Sequence, residues 1–194
     1  MNVGSLKLIE EVIINFSKLS SVNISQDAIY LEFIDVELGN PNINGDLTFS
    51  MRFAKNSFIS FFYDNIWDVE FLSNFDYESY FLDENIIKDV RKIKFIDFEY
   101  LNKFFYNYNN QKDFSIDKEF DIHNIRNDFF CLIEFGDIGI VVGGDEMDFF
   151  FESEKLDDDI LKELSNQWMM YFLNYHQKRN LIKDPMCENH PFNR

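Results

Sequence analysis

The stretch Phe129–Phe151, FFCLIEFGDIGIVVGGDEMDFFF, decides how this chain is read. Phe129–Phe135 is apolar enough for a buried strand, Gly136-Asp137 has the Gly-first composition of a two-residue hairpin turn, and Ile138–Val142 returns. Gly143-Gly144-Asp145-Glu146 reads as the next turn and Met147–Phe151 as a third strand. This meander predicts antiparallel pairing. Its end, Asp157-Asp158-Asp159, opens the clearest helix in the chain, predicted over 159–178. Asp157 or Asp158 caps it, and the acids sit at the positive end of the helix dipole. Leu161, Leu164, Trp168, Tyr171, Phe172 and Tyr175 form its apolar stripe, and Lys178 and Arg179 close it.

Working back towards the N-terminus, Leu8, Ile9, Val12, Ile13 and Phe16 recur at helical spacing and predict a helix over 5–19 capped by Ser5. Residues 28–38 (AIYLEFIDVEL) read as a strand. Its apolar positions switch from odd (Ile29, Leu31, Phe33) to even (Ile34, Val36, Leu38), so it is either buried on both faces or bulged near Phe33. Gly39–Gly45 is a loop by composition, and Leu47, Phe49, Met51 and Phe53 then alternate with polar residues as a half-buried strand. These two strands are predicted to pair as a hairpin. Residues 57–72 read as a further strand, because Trp67-Asp68-Val69-Glu70-Phe71 alternates. Ile86, Ile87, Val90 and Ile93 predict a helix over 83–94, and Asp97 is placed to cap another with Leu101, Phe104, Phe105 and Tyr108. The Asn-rich 107–113 is a loop, 114–122 an edge strand, and 183–194 a tail. The expected fold is α+β: a largely antiparallel sheet from 28–71 and 129–151, flanked by N-terminal, central and C-terminal helices in one domain spanning 1–182.

The chain has 35 acidic residues against 18 Lys and Arg, a net charge of −17. That charge is concentrated. Residues 134–159 hold ten carboxylates and one base, Lys155, while residues 56–87 hold seven carboxylates and no Lys or Arg. The remaining residues are nearly neutral. Such a field repels nucleic-acid phosphates and anionic lipid surfaces, and attracts a basic protein. At 194 residues with 46% hydrophobic content, the chain buries roughly 70% of its unfolded surface and needs no disulfide or metal staple. Cys131 and Cys187 are too few for a secreted disulfide framework. Lys7, Glu10 and Glu11 interrupt any signal-peptide core, and no apolar run approaches a transmembrane length, so a cytoplasmic location is expected.

No nucleophile elbow, zincin motif or phosphate-binding loop is present. Asp145-Glu146-Met147-Asp148 and Asp157–Asp159 offer oxygen ligands without the alternating acids, central Gly and terminal Glu of a calcium loop. Cys187-Glu188-Asn189-His190 is one zinc half-site lacking a second. The histidines His123, His176 and His190 stand in no catalytic pattern. Neither a cofactor nor a metal is expected, and the chain is read as non-enzymatic.

In size, acidity, lack of a catalytic motif and an α+β order of strands and helices, the chain resembles the immunity proteins of bacterial polymorphic-toxin and contact-dependent growth inhibition systems. Met51–Phe71 (MRFAKNSFISFFYDNIWDVEF) has the flavour of these families. The resemblance implies a single domain that binds and blocks one toxin, commonly a basic nuclease. From charge alone, the residues expected to meet that partner are Asp145, Glu146 and Asp148, with Asp64, Trp67, Asp68 and Glu70. A phage-type DNA mimic and a small metal-dependent enzyme using His123 or His176 are the alternatives.

Overall fold

The computed structural model describes residues 1–14, 17–44, 47–65, 68–72, 75–84, 86, 88–109 and 127–178. The predicted edge strand 114–122, the tail 183–194, Phe16, Trp67, His123, Cys187 and His190 lie outside them. The architecture is α+β, with the strands divided between two five-stranded antiparallel sheets rather than gathered in one.

The first sheet contains β1 (Lys18–Ile24), β2 (Ala28–Ile34), β3 (Thr48–Ala54), β9 (Glu146–Phe151) and β10 (Glu154–Lys155), in that spatial order. The predicted hairpin is present as β2 and β3, with Leu31 opposite Met51 and Phe33 opposite Phe49. The odd apolar set of β2 is the buried one. The bulge opposite Phe33 lies in β1, between Leu19 and Ser21, while β2 pairs with β3 without a shift, so it does not produce the parity switch. Instead the strand ends at Ile34, and Asp35 turns the chain at φ +59° before Val36 and Leu38 re-enter the core.

The second sheet contains β4 (Phe58–Asn65), β5 (Asp68–Phe71), β6 (Val90–Ile96), β7 (Phe129–Phe135) and β8 (Ile138–Gly144), in the order β5-β4-β8-β7-β6. The segment read as one strand over 57–72 is thus the β4–β5 hairpin, paired Tyr63 to Glu70. The β7–β8 hairpin is as expected, with Gly136 at φ +52° in its turn. One face of this sheet packs against the first sheet in a single cluster: Ile133, Phe135, Ile140 and Val142 meet Leu31, Phe33, Phe49 and Met51. By register, Phe62, Phe130, Leu132 and Val141 occupy the opposite face, and they too are buried. Fully burying each such side chain contributes about 1.5–3 kcal/mol, so a strand buried on both faces is held from two sides.

Two sequence readings give way here. The helix predicted over 83–94 gives way to β6 from Val90 onward, and α3 (Tyr77–Leu82), capped by Asp76, ends before it. A register shift between Val90 and Lys92 changes the strand's parity, and Ile93 and Ile96 then face opposite sides of the sheet. Burial at 90, 93 and 96 mimics a helical period. Nor does Gly143-Gly144 turn the chain back on itself. β8 runs through both glycines, and β9 crosses to the first sheet to pair with β3. Gly143 lies between the rings of Phe58 and Phe130, where a Cβ would come within 2.5 Å and 2.9 Å of ring carbons. A Cβ on Gly139 would lie 2.1 Å from the Phe62 ring. These glycines admit close aromatic neighbours, one of the reasons a glycine stands inside a strand.

The helices close the ends. α1 (Val3–Ile14) is shorter than predicted and starts two residues earlier, because Asn2 Oδ1 rather than Ser5 caps it, accepting from the Ser5 N–H at 3.0 Å. Residues 18 and 19 belong to β1, where pairing with β2 outcompetes continuation of the helix. Glu10 of α1 accepts the Phe95 N–H of β6 at 2.7 Å. The sheets join at one edge, where the Leu19 N–H donates to Lys88 O and the Val90 N–H to Ser17 O. Pro41–Asn44 within the predicted loop forms the short α2. Asp97 caps α4 (Phe98–Asn109) as read, accepting from the Tyr100 N–H at 2.7 Å, and α4 takes in residues 107–109 of the predicted loop. Asp157 caps α5 (Asp158–Lys178), accepting from the N–H groups of Asp159 and Ile160. Leu161 is the one residue of α5's stripe to be fully buried. No helix among the described residues is long and apolar enough to cross a membrane.

Candidate functional site

Asp145, Glu146 and Asp148 come together at the corner where the chain changes sheets twice, side by side. β3 leaves the first sheet through Lys55 and Asn56, both at positive φ, and β8 leaves the second through Asp145. The Asp145 N–H donates to Lys55 O at 3.0 Å, closing the two crossings against each other. Gly144 is needed there because a Cβ would lie 2.8 Å from Ala54 O. Asn56 Nδ2 donates to Asp145 Oδ2 at 2.6 Å, and Asn127 Nδ2 donates to both Asn56 O at 2.8 Å and Asp145 Oδ1 at 3.3 Å. An Asp at this corner therefore ties three chain segments.

The other two acids carry their own cations. Glu146 pairs with Lys55. Asp148 accepts from Arg52 Nη1 at 3.0 Å across the strand pair and from Lys155 Nζ at 2.5 Å. Burial alone would push the Asp148 carboxyl up, but the hydrogen bonds and charges of Lys155 and Arg52 outweigh it and hold the group below the usual carboxylate range. Glu146 and Asp148 thus meet three bases while Asp145 is held by two amides, and much of the corner's negative charge is compensated. An open groove of about 440 Å³ beside it, lined by Asp27, Arg52, Lys55, Asn56 and Glu146, likewise presents both signs.

The remaining expected contact residues lie elsewhere. Phe58 pairs with Gly143 at the corner end of β4, whereas Tyr63 pairs with Ile138 at the far end, where Asp64 and the β5 residues Asp68 and Glu70 follow. Six residues of strand separate Phe58 from Asp64, about 20 Å at ~3.3 Å per residue. That exceeds two Debye lengths at physiological salt, roughly 8 Å each. The corner acids therefore stand apart from Asp64, Asp68 and Glu70, whereas Asp137, next to Ile138, lies at the β4–β5 end and pairs with Arg91.

The base-free block has a different character. Behind the β4–β5 hairpin, Phe61, Phe75, Tyr77, Tyr80 and Phe81 pack together, and Phe81 reaches Phe135 at 5.7 Å between ring centroids. In this cluster Tyr77 stacks on Phe61, while Phe61, Phe75, Tyr80 and Phe81 follow one another in tilted or edge-on contacts that hold α3 to the sheet. The cluster leaves Tyr63 39% exposed and Leu82 81% exposed, next in sequence to the exposed carboxylates Glu78, Asp83 and Glu84. Among the described residues, neither Glu78 nor Glu84 forms an ion pair. Composition pointed to the block; Leu82, Glu78 and Glu84 as its exposed members emerge only from the fold.

Of the last acidic run, Asp157 caps α5 and Asp158 accepts the Asn2 N–H at the start of α1. Hydrogen bonding to Ser5 and Asn2 holds the Asp158 carboxyl below its ordinary range. Among the described residues, no group of three His, Cys, Asp or Glu side chains is placed to hold a metal ion. His176 packs its ring 4.0 Å from that of Phe172. Cys131 is buried, and desolvation, with the Glu10 charge adding to it, pushes its thiol well above the ordinary value. No protein-family model matches the chain, and neither a curated protein nor a solved structure matches it.

Proposed function

We propose that this chain is an immunity protein that acts in the cytoplasm, binding a cognate basic toxin domain and occupying the cationic surface with which the toxin meets its nucleic-acid substrate. The observation that supports this most is how the charge is distributed. The net charge is −17, yet Arg52, Lys55 and Lys155 are committed to the corner acids, so the excess negative field falls elsewhere. In this reading the interface is centred on the base-free β4–β5 hairpin and α3. Asp64, Asp68, Glu70, Glu78 and Glu84 supply the field, with Trp67, Tyr63 and Leu82 as apolar anchors. Aromatic and apolar anchors ringed by charge are the composition of interface hot spots. Asp145, Glu146 and Asp148 keep their intramolecular partners and serve the fold that presents this surface.

The test is to sequence the neighbouring reading frames and, where one encodes a large exported protein, to co-express its C-terminal domain with this chain. Rescue of growth, together with a stoichiometric complex whose association slows steeply with salt, is the expected result. Failure to protect, with no complex at low salt, would refute the reading. Binding to many unrelated DNA-binding proteins instead of one partner would point to a DNA mimic.

A further inference from the structure

We draw no further inference here: the strongest candidate, the carboxylate-free stretch 164–178 of α5, exposes Met169, Met170 and Tyr175 on different sides of the helix, and nothing in the structure shows what covers them.

Discussion

Replacing Asp148 by alanine removes the one carboxylate that serves two cations at the corner between the sheets. Its side chain is 20% exposed, that of Arg52 28% and that of Lys155 64%. The Arg52 bond is largely shielded from water, and charge-assisted hydrogen bonds of that kind contribute about 1.5–3 kcal/mol. The Lys155 pair is mostly solvated and adds only about 0.2–1 kcal/mol. The expected loss is therefore roughly 2–3 kcal/mol, which lowers Tm by about 4–10 °C in a protein of this size. Urea titration of the wild type, D148A, R52A and the double variant measures this directly. The double-mutant cycle should give a coupling of about 1–2 kcal/mol between Arg52 and Asp148. The pH dependence has a definite sign. The Asp148 carboxyl is held below its unfolded value, so its stabilisation is complete above the unfolded pKa and is lost as pH falls through the folded one. The stability gap between wild type and D148A should therefore be constant near neutrality and close in acid. A loss below about 0.5 kcal/mol, unchanged by pH, would refute the assignment of Asp148 to the fold.

Other perturbations probe separate parts of the structure. Gly143→Ala drives a Cβ into the rings of Phe58 and Phe130 and should cost about 1–3 kcal/mol by chemical denaturation, the usual cost of overpacking; a neutral result would mean those rings do not seat there. Asp157→Ala removes the α5 cap and should lower stability by ~1 kcal/mol, whereas Asp157→Asn or Asp157→Ser should retain most of it. Cys131 should resist thiol reagents in the native protein at neutral pH and react only at the rate of unfolding; rapid native labelling would contradict its burial. Charge reversal of Glu78 and Glu84 to lysine should leave Tm within a few degrees while slowing association with the basic partner severalfold at low salt; no change in that rate would move the interface away from α3.

The parts of the fold that the sequence announces are those whose interactions are local. The alternation in β2 and β3, the Gly-Asp turn between β7 and β8, and the Asp caps of α4 and α5 all act within a few residues of themselves. The parts that escape it depend on distant partners. Gly143-Gly144 has turn composition, but its glycines are required by Phe58, Phe130 and the Ala54 backbone. β6 imitates a helix because one register shift and burial on both faces put apolar residues three apart. The candidate site fails to read for the same reason. Asp145, Glu146 and Asp148 look like a concentrated negative patch in sequence, yet Arg52 stands 96 residues from Asp148, and Lys55, the cation of Glu146, follows the same distant strand. Local charge counting cannot find neutralisation supplied by a strand so far away. The block 56–87 is legible only in outline: it holds no Lys or Arg of its own, yet Lys88 Nζ donates to Phe81 O of α3 at 2.6 Å, a base from just outside the block.

The central claim is that one acidic surface meets the partner while the other holds the fold. It is tested most directly by titrating the basic domain identified by the co-expression test against two sets of charge-neutralised variants. One set carries Asp68→Asn, Glu70→Gln, Glu78→Gln and Glu84→Gln; the other carries Glu146→Gln and Asp148→Asn. The account predicts that the first set loses association rate and salt sensitivity at nearly unchanged stability. It predicts that the second loses stability and, at temperatures where it remains folded, binds like the wild type. Wild-type binding by the first set, or abolished binding by a fully folded second set, would contradict it.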